Sequence, residues 1–266
     1  MTAKKQRLDA LLYENGYFES RERAKAAIMA GQVQVNGEKA DKPGISVESA
    51  VKIEITGSLQ YVSRGGLKLE KALRCFDIDL NHRVVLDVGA STGGFTDCAL
   101  QNGASRVFAV DVGYGQLAWR LRNDPRVVVF ERTNIKKLQP GDLQYRPDFV
   151  TIDVSFISLE KVIPPVALLV EGDARGMALI KPQFEAGRDK VGKKGVVRDP
   201  EVHREVLNRL CKFIIDSGWS VLGLDFSPIR GPEGNIEYLM YFTFKEISGF
   251  DLNIINKTVE RAHGAF

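Results

Sequence analysis

The sequence predicts an α/β protein in which a small N-terminal α+β module precedes a doubly wound parallel sheet with helices on both faces. Three observations support this prediction. The apolar run Val84–Val88 breaks into a glycine-rich turn, and a second apolar run ends at Asp111 about 20 residues later. Residues 6–56 follow a separate pattern of helices and then short strands. In a βαβ unit the carboxyl ends of the strands meet at one crevice, so we expect a ligand site there.

The N-terminal module is predicted to contain two helices followed by short strands. Leu8 and Leu12 mark one face of the first helix. Ser20 is a favourable N-cap residue for the second helix, and Gly31 is suited to end it. Alternating residues then surround Asn36-Gly37, a dipeptide that is typical of the tight turn in a β-hairpin.

Composition indicates an ordinary globular protein with room for one large and one small domain. The chain has 266 residues, 44% of them hydrophobic and 27% charged. It contains no apolar run of the roughly 18 residues that a membrane span requires, and its N-terminus has no apolar signal core, so we expect a cytoplasmic protein. The three cysteines are scattered without disulfide or zinc spacing, and we expect no metal.

The distribution of charge matters more than the net charge of +3. Residues 116–137 hold six basic residues against two acids, and residues 181–198 hold six against two. Two basic segments beside a ligand crevice favour a polyanionic substrate, although a solvated surface would also explain them.

The residue types in the crevice favour S-adenosylmethionine over a dinucleotide. Asp87 precedes the glycine turn, and Ser91 and Thr92 fill it. An acid beside the loop would repel a pyrophosphate but suits the cationic, amino-bearing end of S-adenosylmethionine. Asp111 is placed to accept hydrogen bonds from both ribose hydroxyls. A structural glycine turn and a nucleotide dehydrogenase remain the alternatives.

Further charged residues follow predicted strands or turns. Asp153 and Lys181 end apolar runs, Lys68 follows a Gly65-Gly66 turn, and Glu237 opens a late apolar strand. Acids and a lysine at the carboxyl ends of parallel strands can share one site. Taken singly, each has an ordinary explanation as a surface charge or, for Asp153, as a turn cap.

In order and surroundings, these four residues resemble the Lys-Asp-Lys-Glu tetrad of FtsJ-like ribose 2′-O-methyltransferases, with Lys68, Asp153, Lys181 and Glu237 as the catalytic set. The N-terminal module, with residues 31–37 at its centre, resembles the S4 RNA-binding domain. Over essentially its full length the chain resembles the TlyA family of ribosomal RNA cytidine 2′-O-methyltransferases, historically labelled hemolysins.

The resemblance implies an S4-like RNA-binding domain over residues 1–57, a linker over 58–64 and a Rossmann-like, S-adenosylmethionine-dependent methyltransferase domain over 65–266. It implies ribosomal RNA or a ribosomal subunit as the partner. The implied cofactor-binding residues are Asp87, Gly89, Ser91, Thr92, Gly93, Asp111, Asn134 and Asp153. The implied RNA-binding residues are Arg7, Arg21, Arg23, Lys25, Arg64, Lys190, Lys193 and Lys194.

A ribose hydroxyl is a weak nucleophile, so its proton must be removed as it attacks an aligned methyl group. Our hypothesis makes Lys181 the proton acceptor, which must be neutral at that moment; the neighbouring Asp153 opposes this while holding the amine in position. Lys68 would stabilise the developing alkoxide, and Glu237 would orient the ribose or the lysines. Alternatively, no side chain is a true base and positioning supplies most of the rate.

Residues 182–200 are predicted to form a mobile basic loop that closes on RNA phosphates. Phe156 and Phe184, each three residues beyond a tetrad position, could stack on a flipped base, although core packing is expected for at least one of them.

Two other functions compete with methyl transfer. A cytolysin would need a membrane-active segment, and residues 251–263, the best candidate, are better interpreted as a packing helix. An RNA-binding assembly factor would bind RNA without transferring a methyl group.

Overall fold

The computed structural model describes residues 5–15, 17–18, 20–49, 51–55, 60–192, 194–231, 233–247 and 249–266. The chain forms two compact units, Met1–Arg64 and Gly65–Phe266. Of the predicted linker, residues 58 and 59 lie outside the described residues, and residues 60–64 belong to the first unit.

The first unit combines two helices with two small antiparallel sheets. Strand β2 is the centre of a three-stranded sheet in the order β3-β2-β5, and β1 pairs with β4. The elements are β1 Lys5–Arg7, α1 Leu8–Glu14, α2 Arg21–Met29, β2 Val33–Val35, β3 Glu38–Ala40, β4 Ser46–Glu48 and β5 Ile53–Ile55.

Local sequence explains these elements. The Ser20 hydroxyl accepts a hydrogen bond from the Arg23 backbone N–H at 3.2 Å and so caps α2. Asn36 and Gly37 both have positive φ angles, 54° and 84°, as a two-residue hairpin turn between β2 and β3 requires. The apolar faces of both helices, including Leu8, Leu12 and Ile28, are buried in one core.

The second unit is built on a seven-stranded sheet with the order β11-β12-β10-β9-β6-β7-β8. Its strands are β6 Val84–Val88, β7 Arg106–Val110, β8 Val127–Phe130, β9 Phe149–Ile152, β10 Arg175–Ile180, β11 Ser220–Phe226 and β12 Tyr238–Thr243. Its helices are α3 Gly65–Cys75, α4 Gly94–Gln101, α5 Trp119–Arg122, α6 Ile163–Ala167, α7 Pro182–Glu185, α8 Pro200–Asp216 and α9 Ile254–Ala265.

Strands β6 to β10 are parallel, whereas β12 is antiparallel to both β10 and β11. The chain runs outward from β6 through β7 to β8, and then returns to the other side of β6 to form β9. This topological switch point between β6 and β9 opens a crevice at the carboxyl ends of the strands. The predicted α/β fold class is therefore confirmed.

The late helices pack on the sheet. Ile255, Val259 and Ala262 of α9 are buried in the same core as Leu207 and Ile214 of α8. The apolar face of the segment considered for membrane activity is thus buried in the protein interior. No helix in the described ranges is both long and apolar enough to cross a membrane. Within these ranges, no group of three or more His, Cys, Asp or Glu residues could hold a metal ion.

The basic loop is more ordered than the sequence suggests. It contains α7 and a short 3₁₀ turn at Arg188–Lys190, and Val196 and Val197 near its end are buried. The sequence did not reveal these contacts, since one of the side chains that hold the loop, Asn235, lies about 40 residues away from it.

Candidate active site

The four tetrad residues come from adjacent elements of the second unit. Asp153 directly follows β9, Lys181 directly follows β10, and Glu237 directly precedes β12. These three strands are neighbours in the sheet, and the antiparallel direction of β12 brings its first residue to the edge where the parallel strands end. Lys68 lies in the first turn of α3.

The tetrad forms two close ion pairs. Lys181 Nζ lies 2.6 Å from Asp153 Oδ1 and donates a hydrogen bond to the Ser155 hydroxyl at 3.0 Å. Lys68 Nζ lies 2.6 Å from Glu237 Oε2. The Lys181 side chain is 11% exposed and that of Asp153 is 21% exposed, so a substrate can reach this pair. Glu237 is 1% exposed, so its carboxylate acts mainly on Lys68.

The two pairs belong to one electrostatic cluster. Burial raises the pKa of Glu237, while the charge and the hydrogen bond of Lys68 oppose that rise. Asp153 raises and Lys181 lowers the same pKa, so their charges are close enough to act on this carboxyl. The balanced charges of two lysines and two acids keep the cluster stable in a largely buried place.

Asp87 is a buried residue that supports the site through two side-chain hydrogen bonds. It is fully buried, and its two oxygens accept hydrogen bonds from the hydroxyls of Thr96 at 2.6 Å and Thr151 at 2.8 Å. Burial is the main cause that raises its pKa to about 6. The carboxylate therefore does not face the crevice surface, and a direct contact with the cofactor stays a prediction. Its threonine partners were not anticipated from the sequence.

The glycine turn after β6 passes close to Asp153. At Gly89, with φ of +86°, an added Cβ would lie 2.5 Å from the Asp153 carbonyl oxygen. Gly93, with φ of +95°, precedes the first turn of α4. Only glycine combines these backbone angles with such a close approach. Between them Ser91 and Thr92 are exposed, as expected for residues that face a ligand.

Asp111 organises the rim of the crevice. One carboxylate oxygen accepts the backbone N–H of Ser91 at 2.8 Å, and the other accepts that of Gly113 at 2.6 Å. Each oxygen keeps a further lone pair for another donor. A narrow cleft lies beside this carboxylate, with Leu117 and Val129 among its apolar walls.

The acid that the sequence reasoning missed in this cleft is Glu131. It directly follows β8, lines the cleft, accepts the Gly115 N–H at 2.8 Å and pairs with Arg122. Asn134, one of the implied cofactor-binding residues, is not among the residues that line the cleft. Its side chain accepts the Lys136 N–H and caps a 3₁₀ turn. An acid ending an apolar run, the signal used for Asp111, also identifies Glu131.

The predicted RNA contacts of the first unit are exposed in part but also serve the fold. Arg7 and Arg21 both pair with the buried Asp9, at 3.0 and 3.2 Å. The hydrogen bonds of Arg7 are the main cause that holds the pKa of Asp9 well below its usual range. Arg23 and Lys25 are half-buried on α2.

The remaining predicted RNA contacts differ in their surroundings. Arg64 is half-buried at the end of the first unit. In the second unit, Lys190 pairs with Glu205, and Lys194 is exposed. Lys193 lies outside the described residues.

An exposed aromatic side chain, Phe156, lies near the tetrad. Phe156 is 89% exposed, adopts a positive φ of 63°, and lies with its ring 4.7 Å from that of Phe184. Lys181 Nζ lies 5.9 Å from the centre of the Phe184 ring. A large apolar side chain in a strained, exposed position is typical of a binding site.

Comparison with known families matches both parts of the chain. Residues 61–244 match the FtsJ-like methyltransferase family, and residues 6–51 match the S4 domain.

Several curated proteins are similar over nearly the whole chain. YqxC of Bacillus subtilis, a candidate rRNA methyltransferase, is 52% identical over 99% of this chain and 96% of its own. The 16S/23S rRNA (cytidine-2′-O)-methyltransferase TlyA of Mycobacterium tuberculosis is 42% identical over 98% of both chains. Hemolysin A of Brachyspira hyodysenteriae is 44% identical over 89% of this chain and 99% of its own.

A solved structure supports the same relationship. A hemolysin candidate from Streptococcus thermophilus is 46% identical and covers 99% of this chain and 98% of its own, with a TM-score of 0.80. The fold, the two matched domains and the full-length relatives agree: this chain belongs to the FtsJ-like methyltransferase family and, within it, to the S4-containing TlyA group.

Proposed function

We infer that this protein transfers a methyl group from S-adenosylmethionine to a ribose 2′-hydroxyl of ribosomal RNA, with cytidine as the target. The observation that carries the inference is the four-residue cluster of Lys68, Asp153, Lys181 and Glu237, largely buried beside the crevice at the switch point. The TlyA relatives are named for this reaction, and the two matched domains fit its two requirements, RNA binding and methyl transfer.

The crevice suits the chemistry of an adenosine-containing cofactor. The free lone pairs of Asp111 can accept ribose hydroxyls, and Leu117 and Val129, which line the narrow cleft beside it, offer apolar surface to a base. Gly89, Ser91, Thr92 and Gly93 would provide the backbone that lies against the ligand. When bound, S-adenosylmethionine supplies an electrophilic methyl group on a sulfonium. Asp87 keeps this loop in place through Thr96 and Thr151.

Lys181 is the group we assign to take the proton of the ribose hydroxyl. Only the neutral amine can accept that proton, so the ammonium that pairs with Asp153 must first release a proton to solvent. Asp153 and Ser155 hold its Nζ from two sides, which fixes the direction in which the amine meets a substrate. A proton acceptor held within hydrogen-bond reach contributes about 10²- to 10⁴-fold to such a reaction.

Lys68 is the group we assign to stabilise the negative charge that develops on the ribose oxygen. Glu237 holds its Nζ at 2.6 Å and compensates for the cost of burying its charge. A fixed cation in a water-poor place stabilises a developing anion better than solvent does, because it needs no reorganisation.

RNA recognition is divided between the two units. In the first unit Arg7, Arg21, Arg23 and Lys25 would meet phosphates through the parts of their side chains that stay exposed. In the second unit Phe156 offers a ring on which an extruded base can stack. A ribosomal RNA substrate also places the protein in the cytoplasm.

The test replaces Lys181 in two ways and follows labelled methyl transfer to ribosomal subunits and to free rRNA. Lys181→Ala removes the amine. Lys181→Arg keeps a positive charge beside Asp153 but cannot give up its proton. If Lys181 accepts the proton, we expect both variants to lose about 10²- to 10⁴-fold in kcat, with unchanged affinity for S-adenosylmethionine.

Lys212→Ala is the matched control, because Lys212 is 73% exposed on α8 and forms an ion pair with Asp216, one helical turn away on the surface. Near-normal activity of Lys181→Arg would assign this residue to positioning. Full activity of Lys181→Ala would contradict its catalytic role. Methyl transfer by neither wild type nor variants, to any form of rRNA, would contradict the proposed function.

A further inference from the structure

The buried end of the basic loop is held by side chains that the reaction scheme leaves unused. Residues 187–199 are the part of the basic loop that follows α7. Near its end Val197 is buried, whereas Lys194 and Arg198 are exposed. A buried peptide needs partners for both of its polar groups. One of those partners, His203, lies six residues further along the chain, and the other, Asn235, lies 38 residues away.

Asn235 holds two peptides of the loop at once. It is 2% exposed. Its Oδ1 accepts the Val197 backbone N–H at 3.0 Å, and its Nδ2 donates to the Gly195 carbonyl at 2.8 Å. Both ends of one amide are thereby engaged with the loop, so this side chain acts as a clamp rather than as a surface group.

His203 holds the other polar group of the same valine. Its Nε2 lies 3.1 Å from the Val197 carbonyl oxygen, which can only accept, so Nε2 carries the proton. The unprotonated Nδ1 then accepts the Tyr238 hydroxyl at 2.7 Å, and His263 Nε2 lies 3.1 Å from it. Complete burial lowers the pKa of His203 to about 4, which keeps the ring neutral in this arrangement at pH 7.

These contacts form a closed ring of hydrogen bonds and backbone that includes a tetrad residue, Glu237. Asn235 stands two residues before Glu237, and Tyr238 stands one residue after it. Hydrogen bonds run from Tyr238 through His203 and Val197 to Asn235, and the chain from 235 to 238 closes the ring.

We propose that Asn235 and His203 are positioning residues that lock the end of the basic loop to residues 235–238, the segment that contains Glu237 and leads into β12. This inference rests on the proposed function and extends it, because it ties the cations that meet RNA to the carboxylate that holds Lys68. We call the hydrogen bonds of Asn235 and His203 to the loop the anchor. Release of the anchor would leave the polar groups of a buried peptide unpaired, and the loop would move outward to hydrate them. At the same time, the catalytic cluster would lose the fixed end of the basic loop as a neighbour.

The experiment compares Asn235→Leu, His203→Leu and the double variant in the full-length protein. Each single change should lower kcat/KM for RNA at least about tenfold, because each removes two or more buried hydrogen bonds that order the site, with unchanged affinity for S-adenosylmethionine. Limited trypsin digestion should cut faster after Lys190 or Lys194. The double variant should resemble the worse single variant, because both changes release the same peptide.

His203→Gln provides a rescue test. Its amide can replace Nε2 and donate to the Val197 carbonyl, so we expect loop protection and most of the activity to return. Asn208→Leu is the matched control, because Asn208 is exposed on α8 and its amide donates to the Arg204 carbonyl of the same helix. If the leucine variants do not fold, Asn235→Asp keeps the shape but loses the bond to Gly195, and it should still speed cleavage.

Additive losses in the double variant, or no rescue by glutamine, would overturn the anchor in favour of general packing damage. Unchanged trypsin cleavage in every variant would overturn it as well. If wild type transfers no methyl group, the proposed function fails by itself, and the cleavage rates still decide whether the anchor exists.

Discussion

Asp87 lowers the stability of the folded protein at neutral pH, while it holds the glycine turn after β6 in place. Its pKa rises from 3.8 to about 6 on folding, so between these values the folded protein binds more protons here than the unfolded chain. Stability from this group therefore falls as the pH rises from 4 to 6. The cost is about 3 kcal/mol at neutral pH.

Asp87→Asn avoids that cost, because an uncharged amide can still bond to Thr96 and Thr151. We expect a gain of about 1–3 kcal/mol in unfolding free energy at pH 7 that disappears near pH 4, measured by urea unfolding. Asp173→Asn, at an exposed aspartate, should change little at either pH. An Asp87→Asn variant that is less stable than wild type at pH 7 would show that the ionised carboxylate is worth more than its burial costs.

Phe156 is 89% exposed, so its ring buries little apolar surface in the fold. We expect Phe156→Ala to leave the melting temperature nearly unchanged but to lower kcat/KM for RNA about tenfold or more, since base stacking contributes about 1–3 kcal/mol. Phe156→Trp, which keeps an aromatic face, should retain activity. Wild-type kcat/KM in the alanine variant would remove this ring from the proposed site.

At the scale of elements, the turn after β6 must pass against the end of β9. Gly89→Ala would place a Cβ 2.5 Å from the Asp153 carbonyl oxygen at a φ of +86°. Gly218 at the end of α8 has a similar φ, +77°, but open space around it. The two alanine variants therefore share the backbone penalty and differ in the clash.

We expect Gly218→Ala to cost about 1 kcal/mol and Gly89→Ala to cost about 2–4 kcal/mol, because a displaced backbone adds to the strain. Only Gly89→Ala should weaken S-adenosylmethionine binding. Thermal unfolding and calorimetric titration measure the two effects. Equal stability losses with unchanged cofactor affinity would mean that the contact with Asp153 is not needed for the crevice.

At the scale of the whole molecule, local patterns predicted the architecture and only part of the site. Apolar runs ending in Asp111, Asp153 and Lys181 were sufficient to predict parallel strands and a crevice, because these signals are local. The pairing of Lys68 with Glu237 joins residues 169 positions apart, and periodicity does not reveal which partners meet. Buried polar partners such as Asn235 are invisible for the same reason.

The position of the transferred methyl group tests the central claim most directly. After reaction with labelled S-adenosylmethionine, the rRNA is hydrolysed in alkali, which needs a free 2′-hydroxyl beside each phosphate. A ribose 2′-O-methyl group therefore leaves an alkali-resistant dinucleotide, and we expect the label there, with cytidine as the modified nucleoside, and no label with Lys181→Ala. Label recovered in mononucleotides would place the methyl group on a base and contradict the account.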